Sequence, residues 1–203
     1  MSRQSAVLGV RKAPRQRRST HTVEALLEAA ALVLEEGGLE GFNTNAVAQR
    51  AGASIGTLYQ YFPNKDALTL ALLIREEASA HAAAAAAAAL PSWREALAAF
   101  IAVAAQQQLS RPQLARLLDQ EEERPHIRAA KDGAHSFSEL LLIVLDKPDA
   151  PPQLRDSARR ALAAADLLAI IRAMVDAAGQ RGERDADDLA RRVRAAAFGY
   201  LEA

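Results

Sequence analysis

The sequence predicts an all-α chain, and three observations support this. From Val23 onward apolar residues recur at intervals of three and four, which is the spacing of one buried helix face. Ser, Asn and Asp precede these segments where a helix cap is expected, and Gly or Pro follows them. Half of the residues are hydrophobic and a quarter are charged, with only 10 Gly and 8 Pro, so a disordered or collagen-like chain is excluded.

The first predicted helix starts near 19–22 and ends at Gly37 and Gly38. A short turn containing Gly41 separates it from the second segment, which Asn43 is suited to cap. The apolar face of the first helix consists of Val23, Leu26, Leu27, Ala30 and Leu34.

Two short helices are predicted next. The first buries Val47, Ala48 and Ala51 and ends at Gly52. The second follows Ser54, turns Leu58 and Phe62 inward, and ends at Pro63 and Asn64, where Asn64 caps the next helix. Two short helices joined by a tight Gly-containing turn form a helix-turn-helix. The side chains predicted to lie mainly outward on the second are Ser54, Gly56, Thr57, Gln60 and Tyr61.

Residues 20–68 contain a specific series of short motifs: Ala29-Ala30, Gly38, Asn43-Thr44, Val47-Ala48-Gln49-Arg50-Ala51-Gly52 and Ser54-Ile55-Gly56-Thr57-Leu58-Tyr59-Gln60-Tyr61-Phe62-Pro63-Asn64-Lys65. Through these motifs the segment resembles the helix-turn-helix domain of the TetR family of transcriptional regulators. Asn43 replaces the Thr that is common in the family, which is harmless because Asn caps a helix as well, and Ala53 replaces a Val. The resemblance implies a sequence-specific DNA-binding regulator, most simply a repressor that a small molecule releases from DNA.

The predicted DNA contacts fall into two groups. Ile55, Thr57 and Gln60 are expected to read bases, since a methyl group packs on thymine and a carboxamide reaches an adenine edge. Gly56 lets the backbone of the recognition helix approach the duplex closely. Phosphate contacts are expected from the helix starts at Thr44 and Ser54 and, by the family resemblance, from Tyr59, Tyr61 and Lys65. Simple core packing is the alternative interpretation of the aromatic residues, and it is accepted for Phe42 and Phe62.

The formal net charge of zero conceals an uneven distribution. Residues 1–20 hold six basic residues and no acid, which leaves 19 basic and 25 acidic residues in the remainder. Residues 1–18 are therefore predicted to be a disordered basic arm. Within 21–65 only Arg50 and Lys65 oppose five glutamates, so the hypothesis is that Arg11–Arg18 provide much of the attraction to DNA.

The remaining sequence, 67–203, is predicted to be a helical effector-binding and dimerisation domain, following a helix-turn-helix domain over 19–66 with its motif at about 43–62. A long helix over 66–90 links the two. Capping boxes are expected at Ser92 with Glu95, Ser110 with Gln113, and Ser136 with Glu139. By resemblance to the family, the last two helices, with apolar faces from Leu167 to Ala178 and from Leu189 to Tyr200, form a homodimer that binds a palindromic operator.

The aromatic residues Trp93, Phe100 and Phe137 are candidate walls of a ligand pocket, although ordinary core packing is the more favoured explanation of each. No cofactor, metal or catalytic site is predicted, because Glu123 and His126 form a single Glu-x-x-His interrupted by Pro125. The absence of cysteine is consistent with a cytoplasmic location, and no membrane-spanning segment is predicted. Two alternatives remain: a helical carrier or enzyme, and a regulator without an inducer.

Overall fold

A computed structural model describes residues 17–131 and 137–202. The described residues are helical without any strand, which confirms the all-α prediction. The basic arm up to residue 16, the side chains of Arg17 and Arg18, and Ser136 lie outside the description. The helices are α1 (Arg17–Gly41), α2 (Thr44–Arg50), α3 (Ile55–Tyr61), α4 (Lys65–Ala88), α5 (Trp93–Ser110), α6 (Pro112–Glu122), α7 (Pro125–Lys131), α8 (Phe137–Leu145), a 3₁₀ turn (Pro152–Arg155), α9 (Ser157–Gln180) and α10 (Ala186–Glu202).

Helix α1 begins at Arg17, slightly earlier than predicted, and is interrupted at Gly38, close to its predicted end. Gly38 has φ 61°, a left-handed conformation that glycine adopts without the strain of a side chain. Gly52, between α2 and α3, has φ 64° for the same reason. These two glycines make the tight turns that bring α1, α2 and α3 together around a shared core.

The predicted caps at the N-termini of three consecutive helices are confirmed. The Asn43 side-chain oxygen accepts a hydrogen bond from the Ala46 amide at 3.0 Å, and Ser54 Oγ accepts one from the Thr57 amide at 3.0 Å. Asn64 accepts one from the Ala67 amide at 2.8 Å. Each bond satisfies an amide that has no partner within its own helix, so each helix start is fixed locally.

Of the capping boxes predicted farther along the chain, one is confirmed in part and one is wrong. Ser92 does cap α5, but its hydroxyl accepts from the Arg94 amide at 3.3 Å, and the Asp149 carboxylate accepts from the Trp93 amide. The prediction for Ser110 is wrong, because Ser110 is the last residue of α5 and its hydroxyl donates to the Gln107 carbonyl at 2.9 Å. The next helix instead begins at Pro112, which suits a first helical position because the amide hydrogen it lacks would have no helical partner there.

The described chain divides into two compact units. The first contains residues 17–76 and 117–131, and the second contains 77–116 and 137–202. The core of the first includes Leu26, Leu34, Leu58 and Phe62, all fully buried. Across the described residues no helix has both the length and the apolar character needed to cross a membrane.

The second unit is built from α5, α8, α9 and α10 together with the later part of α4. Most of the predicted apolar faces of α9 and α10 are buried there, including Leu167, Ile171, Leu189 and Val193. Tyr200, at the end of the predicted α10 face, lies outside this core and is 38% exposed. Its hydroxyl donates to the Asp166 carboxylate at 2.6 Å, which joins α10 to the outer face of α9.

Candidate nucleic-acid interface

One face of α3 is left open to solvent. Gly56 and Gln60 are exposed, as are the apolar side chain of Ile55 and the ring of Tyr59, which is 43% exposed. The opposite face packs into the first unit through Leu58 and the following Phe62. The residues predicted to read bases therefore lie on or beside a surface that the fold itself does not use.

The start of this surface is organised by two hydroxyl groups. Ser54 Oγ lies 2.8 Å from Thr57 Oγ1 in addition to capping α3. This contact fixes the Thr57 side chain, which is half-buried at the edge of the open face. The Thr57 side chain is therefore held in one orientation before DNA binds, so binding costs less side-chain entropy.

A second hydroxyl pair connects the two helices of the motif. Tyr59 Oη of α3 lies 3.1 Å from Thr44 Oγ1 at the first residue of α2. Both residues are predicted phosphate contacts, but no pattern in the sequence indicates that they touch each other. Their hydroxyls form a single donor-rich point at which a phosphate oxygen could be bound.

Gly56 has no structural reason to be glycine. A Cβ built there would meet only Ser54 Oγ, at 3.7 Å, which is an ordinary contact. Glycine within a helix costs about 1 kcal/mol relative to alanine. Because the fold itself does not require glycine at position 56, the presence of Gly56 is consistent with close approach by a partner molecule.

The predicted outward position of Tyr61 is wrong, because the residue is only 8% exposed. Tyr61 follows Leu58 by three residues, and residues three apart share a helix face, so the same packing buries both. Only an edge of the side chain remains for a phosphate. Tyr59, one residue after Leu58, lies on the open side instead.

Two basic residues of this unit, Arg50 and Arg75, are paired with helix α1. The Arg50 guanidinium donates to both oxygens of Glu36, at 2.6 and 2.7 Å, and this hydrogen bonding lowers the pKa of the Glu36 carboxyl. Arg75 lies 3.1 Å from Glu28. Lys65 is placed differently, with its Nζ 4.9 Å from the centre of the Phe42 ring. The buried Phe42 thus holds a cation at the end of the motif, a role that sequence reasoning missed.

The three candidate pocket residues do not form one site. Phe100 and Phe137 lie edge to face with ring centres 6.1 Å apart, and Phe137 also contacts His81. Trp93 packs separately against Phe198. A cavity of about 440 Å³ in the second unit lies elsewhere, lined by α4, α5 and α10 with residues such as Ser79, Val103, Gln106, Ser110 and Asp187. Its walls are small or polar, so a search for aromatic residues could not find it.

No group of three or more potential metal ligands occurs among the described residues. Glu123 lies between α6 and α7, whereas His126 belongs to α7, which Pro125 begins. The two residues of the Glu-x-x-His sequence therefore do not share a helix. His126 instead contacts Asp66, with its Nε2 3.0 Å from the carboxylate.

Comparison with known proteins places this geometry among bacterial regulators. Residues 26–72 match the family model described as "Bacterial regulatory proteins, tetR family". The chain is 40% identical over 65 residues to the HTH-type transcriptional repressor KstR of Mycolicibacterium smegmatis, which is 32% of this chain and 29% of the relative. It is 43% identical over 51 residues to KstR of Rhodococcus jostii, which is 25% of this chain and 24% of the relative. The matched part thus spans less than a third of these curated relatives.

Solved structures share the fold over nearly the whole chain. The transcriptional regulator FadR of Bacillus subtilis, in complex with stearoyl-CoA, superposes with a TM-score of 0.73 at 17% identity, covering 86% of this chain and 96% of FadR. A TetR-like transcriptional regulator from Rhodococcus sp. RHA1 gives a TM-score of 0.63 at 22% identity, covering 95% of this chain and all of that one. At such low identity the similarity establishes the fold alone.

Proposed function

Because this chain belongs, through its N-terminal domain, to the TetR family of bacterial regulatory proteins, we propose that it is a sequence-specific DNA-binding transcriptional regulator. The observation that carries the proposal is the open face of α3, on which Ile55, Tyr59 and Gln60 are exposed while the fold buries the other side. A carrier or an enzyme has no use for such a face. We assign DNA binding to 19–66, with the basic arm before it, and effector binding and dimerisation to 67–203, in a protein that acts in the cytoplasm.

The roles follow the position of each side chain. Ile55, Thr57 and Gln60 read bases in the major groove, with Gly56 allowing close approach. The hydroxyl pair of Thr44 and Tyr59 binds one phosphate, while Lys65 and the start of α3 at Ser54 bind others. Tyr61 is left out because its ring is buried. The list of proposed contacts is therefore Thr44, Ser54, Ile55, Gly56, Thr57, Tyr59, Gln60 and Lys65.

The experiment that tests the function is selection of bound duplexes from a random DNA pool, followed by titration of the selected sequence. A two-fold symmetric protein is expected to select a palindrome whose half-site centres are about 34 to 36 Å apart. Recovery of no preferred sequence at moderate salt would contradict the proposal. The DNA segment upstream of the coding region is a natural first candidate for the operator.

Base reading and phosphate binding are expected to respond differently to mutation. Gln60→Ala should reduce affinity for the selected operator by about 1 to 3 kcal/mol and relax the preference at one position. Lys65→Ala should weaken binding to all sequences alike and reduce the dependence on salt. Titration of both variants against the operator and a scrambled duplex checks this, and equal effects on both duplexes for both variants would contradict the assignment.

The basic arm is expected to contribute most of the salt-dependent attraction. Replacement of its six basic residues by glutamine preserves the length of the chain and should reduce the slope of log K against log salt by about 0.9 for each lost phosphate contact. The expectation rests on the pairing of Arg50 with Glu36 and Arg75 with Glu28, which leaves the folded domain little net attraction for DNA. An unchanged slope would mean that the arm does not contact DNA.

We assign dimerisation to the last two helices, α9 and α10. Leu162 of α9 is 62% exposed, and Tyr200 of α10 lies on the same outer face through its hydrogen bond to Asp166. That bond raises the pKa of the Tyr200 hydroxyl, which is therefore neutral and suited to an interface. The occupant of this face is a second copy of the chain, as the two-fold symmetry of a palindromic operator requires.

The regulator is proposed to be a repressor that a small molecule releases. The matched relatives carry the word repressor in their names, and the cavity of about 440 Å³ has the size of a ligand site. Of the described residues that line it, Asp187 alone carries a charge, so the phosphates of an acyl-CoA such as that bound to FadR find no cation there. Screening compounds for release of the operator, with the Asp187→Asn chain as a comparison, tests whether an effector binds at this place.

A further inference from the structure

A cluster of charged side chains joins the start of α4 to the corner between α6 and α7. Arg124 Nη2 lies 2.6 Å from Asp66 Oδ1, and His126 Nε2 lies 3.0 Å from Asp66 Oδ2. Arg124 Nη1 reaches Glu121 Oε2, also at 2.6 Å. All four residues belong to the first compact unit, although Asp66 and Arg124 are 58 positions apart in sequence. We refer to them as the corner cluster.

The cluster is partly shielded from solvent. Glu121 is nearly buried, and Asp66 and Arg124 each keep about a third of their side chains exposed. Desolvation opposes the charge of Arg124, but its hydrogen bonds to Glu121 and Asp66 outweigh that effect and raise the pKa of Arg124. The guanidinium therefore remains a permanent cation between two carboxylates.

His126 also contacts the Asp66 carboxylate. Its Nε2 lies 3.0 Å from both Asp66 Oδ2 and Arg124 Nη2. A neutral imidazole nitrogen either donates or accepts, so Nε2 bonds one of the two at a time. Only the bond to Asp66 holds the start of α7 against the first turn of α4, because Arg124 belongs to the same corner as His126.

The position of Asp66 gives the cluster a consequence for DNA binding. Asp66 directly follows Lys65, the proposed phosphate contact, in the first turn of α4. An uncompensated carboxylate there would repel the phosphate that Lys65 attracts. Arg124 offsets part of the negative charge that Asp66 and Glu121 place there, and it holds the Asp66 carboxylate in one position.

We propose that Arg124 is a positioning residue for DNA binding, which offsets the charge of Asp66 and holds its carboxylate so that Lys65 and the start of α4 accept a phosphate. The inference rests on the proposed function and adds to it residues that lie outside the helix-turn-helix motif. A purely structural role for the ion pair would affect unfolding without changing the salt dependence of DNA binding. The two roles are therefore separable by measurement.

The test compares operator binding by the full-length chain and its variants over a range of salt concentrations, at a temperature where circular dichroism shows all of them folded. Arg124→Gln should weaken binding about tenfold and reduce the slope of log K against log salt by about one, as loss of one phosphate contact does. Adding Asp66→Asn to Arg124→Gln should recover part of the affinity, because the repelling carboxylate is then gone. Arg124→Lys should lie between wild type and Arg124→Gln.

Arg94→Gln is the matched control, since it breaks an exposed pair with Glu202, at 2.9 Å, in the second unit, and it should bind like wild type. Arg124→Gln binding with wild-type affinity and slope would overturn the inference, and so would a double variant no better than Arg124→Gln. If Arg124→Gln fails to fold, Arg124→Lys still decides the matter, because a lysine cannot reproduce the paired bonds to Asp66 and Glu121: wild-type affinity and salt slope in that variant overturn the inference. A wild-type chain that selects no DNA sequence refutes the proposed function itself, and that result is read before any variant is made.

Discussion

A Gly56→Ala chain is expected to be more stable than wild type and to bind its operator at least about tenfold more weakly. The new methyl group meets only Ser54 Oγ, at 3.7 Å, so nothing in the folded chain resists it. Alanine in place of a helical glycine contributes about 0.5 to 1 kcal/mol of stability. At the proposed interface the same methyl group stands between the backbone of α3 and the duplex, and Gly56→Leu should abolish specific binding.

Thermal unfolding measures the expected gain in stability, and operator titration of the same preparations measures the expected loss of affinity. Gly37→Ala is the matched control, because Gly37 is an exposed helical glycine in the same unit whose added Cβ meets no atom within 4 Å. It should retain wild-type affinity. Wild-type binding by Gly56→Ala would show that the open face of α3 does not approach DNA closely.

The features that the sequence predicts best are those decided within a few residues. Asn43, Ser54 and Asn64 each cap a helix by accepting from an amide three residues later, and this bond depends on nothing distant. Ser110 shows where the same rule fails. The pattern of a capping box was present, but the proline at 112 starts the next helix and leaves Ser110 at the end of α5.

The two tyrosines of α3 show the limit of reasoning from residue type. Tyr59 and Tyr61 have the same chemistry, yet one is exposed and the other is part of the core. The four-residue interval between Leu58 and Phe62 favours an outward Tyr61, whereas its three-residue interval from Leu58 favours the buried face that the structure shows. A helix this short leaves both positions compatible with the spacing, and packing decides between them.

Contacts between distant parts of the chain left no local signal. Arg124 and Asp66 are 58 residues apart, and nothing next to either residue in the sequence indicates that they pair. The walls of the 440 Å³ cavity come from α4, α5 and α10, and small side chains such as Ser79 and Ala83 carry no distinctive pattern. Such sites arise from tertiary packing, which periodicity and capping do not encode.

Leu162→Glu is expected to convert the proposed dimer to a monomer and to reduce operator affinity by about a hundredfold or more. Leu162 is 62% exposed on α9, one helical turn before Asp166, so the fold of a single chain does not need it. Two copies related by a two-fold axis bring their Leu162 side chains to the same interface, where opposed carboxylates repel and lose their hydration. A monomer holds only one half-site, and the affinity that linkage of two half-sites provides is lost.

Sedimentation equilibrium measures the oligomeric state of each variant, and operator titration measures its affinity for DNA. Ile143→Glu is the matched control, since Ile143 is 54% exposed but lies on α8, outside the proposed face. It should remain dimeric and bind DNA normally. Dissociation by Ile143→Glu with a stable Leu162→Glu dimer would move the interface to α8. A monomeric Leu162→Glu chain with full affinity would mean that each chain recognises its site alone, and the palindrome would no longer be required.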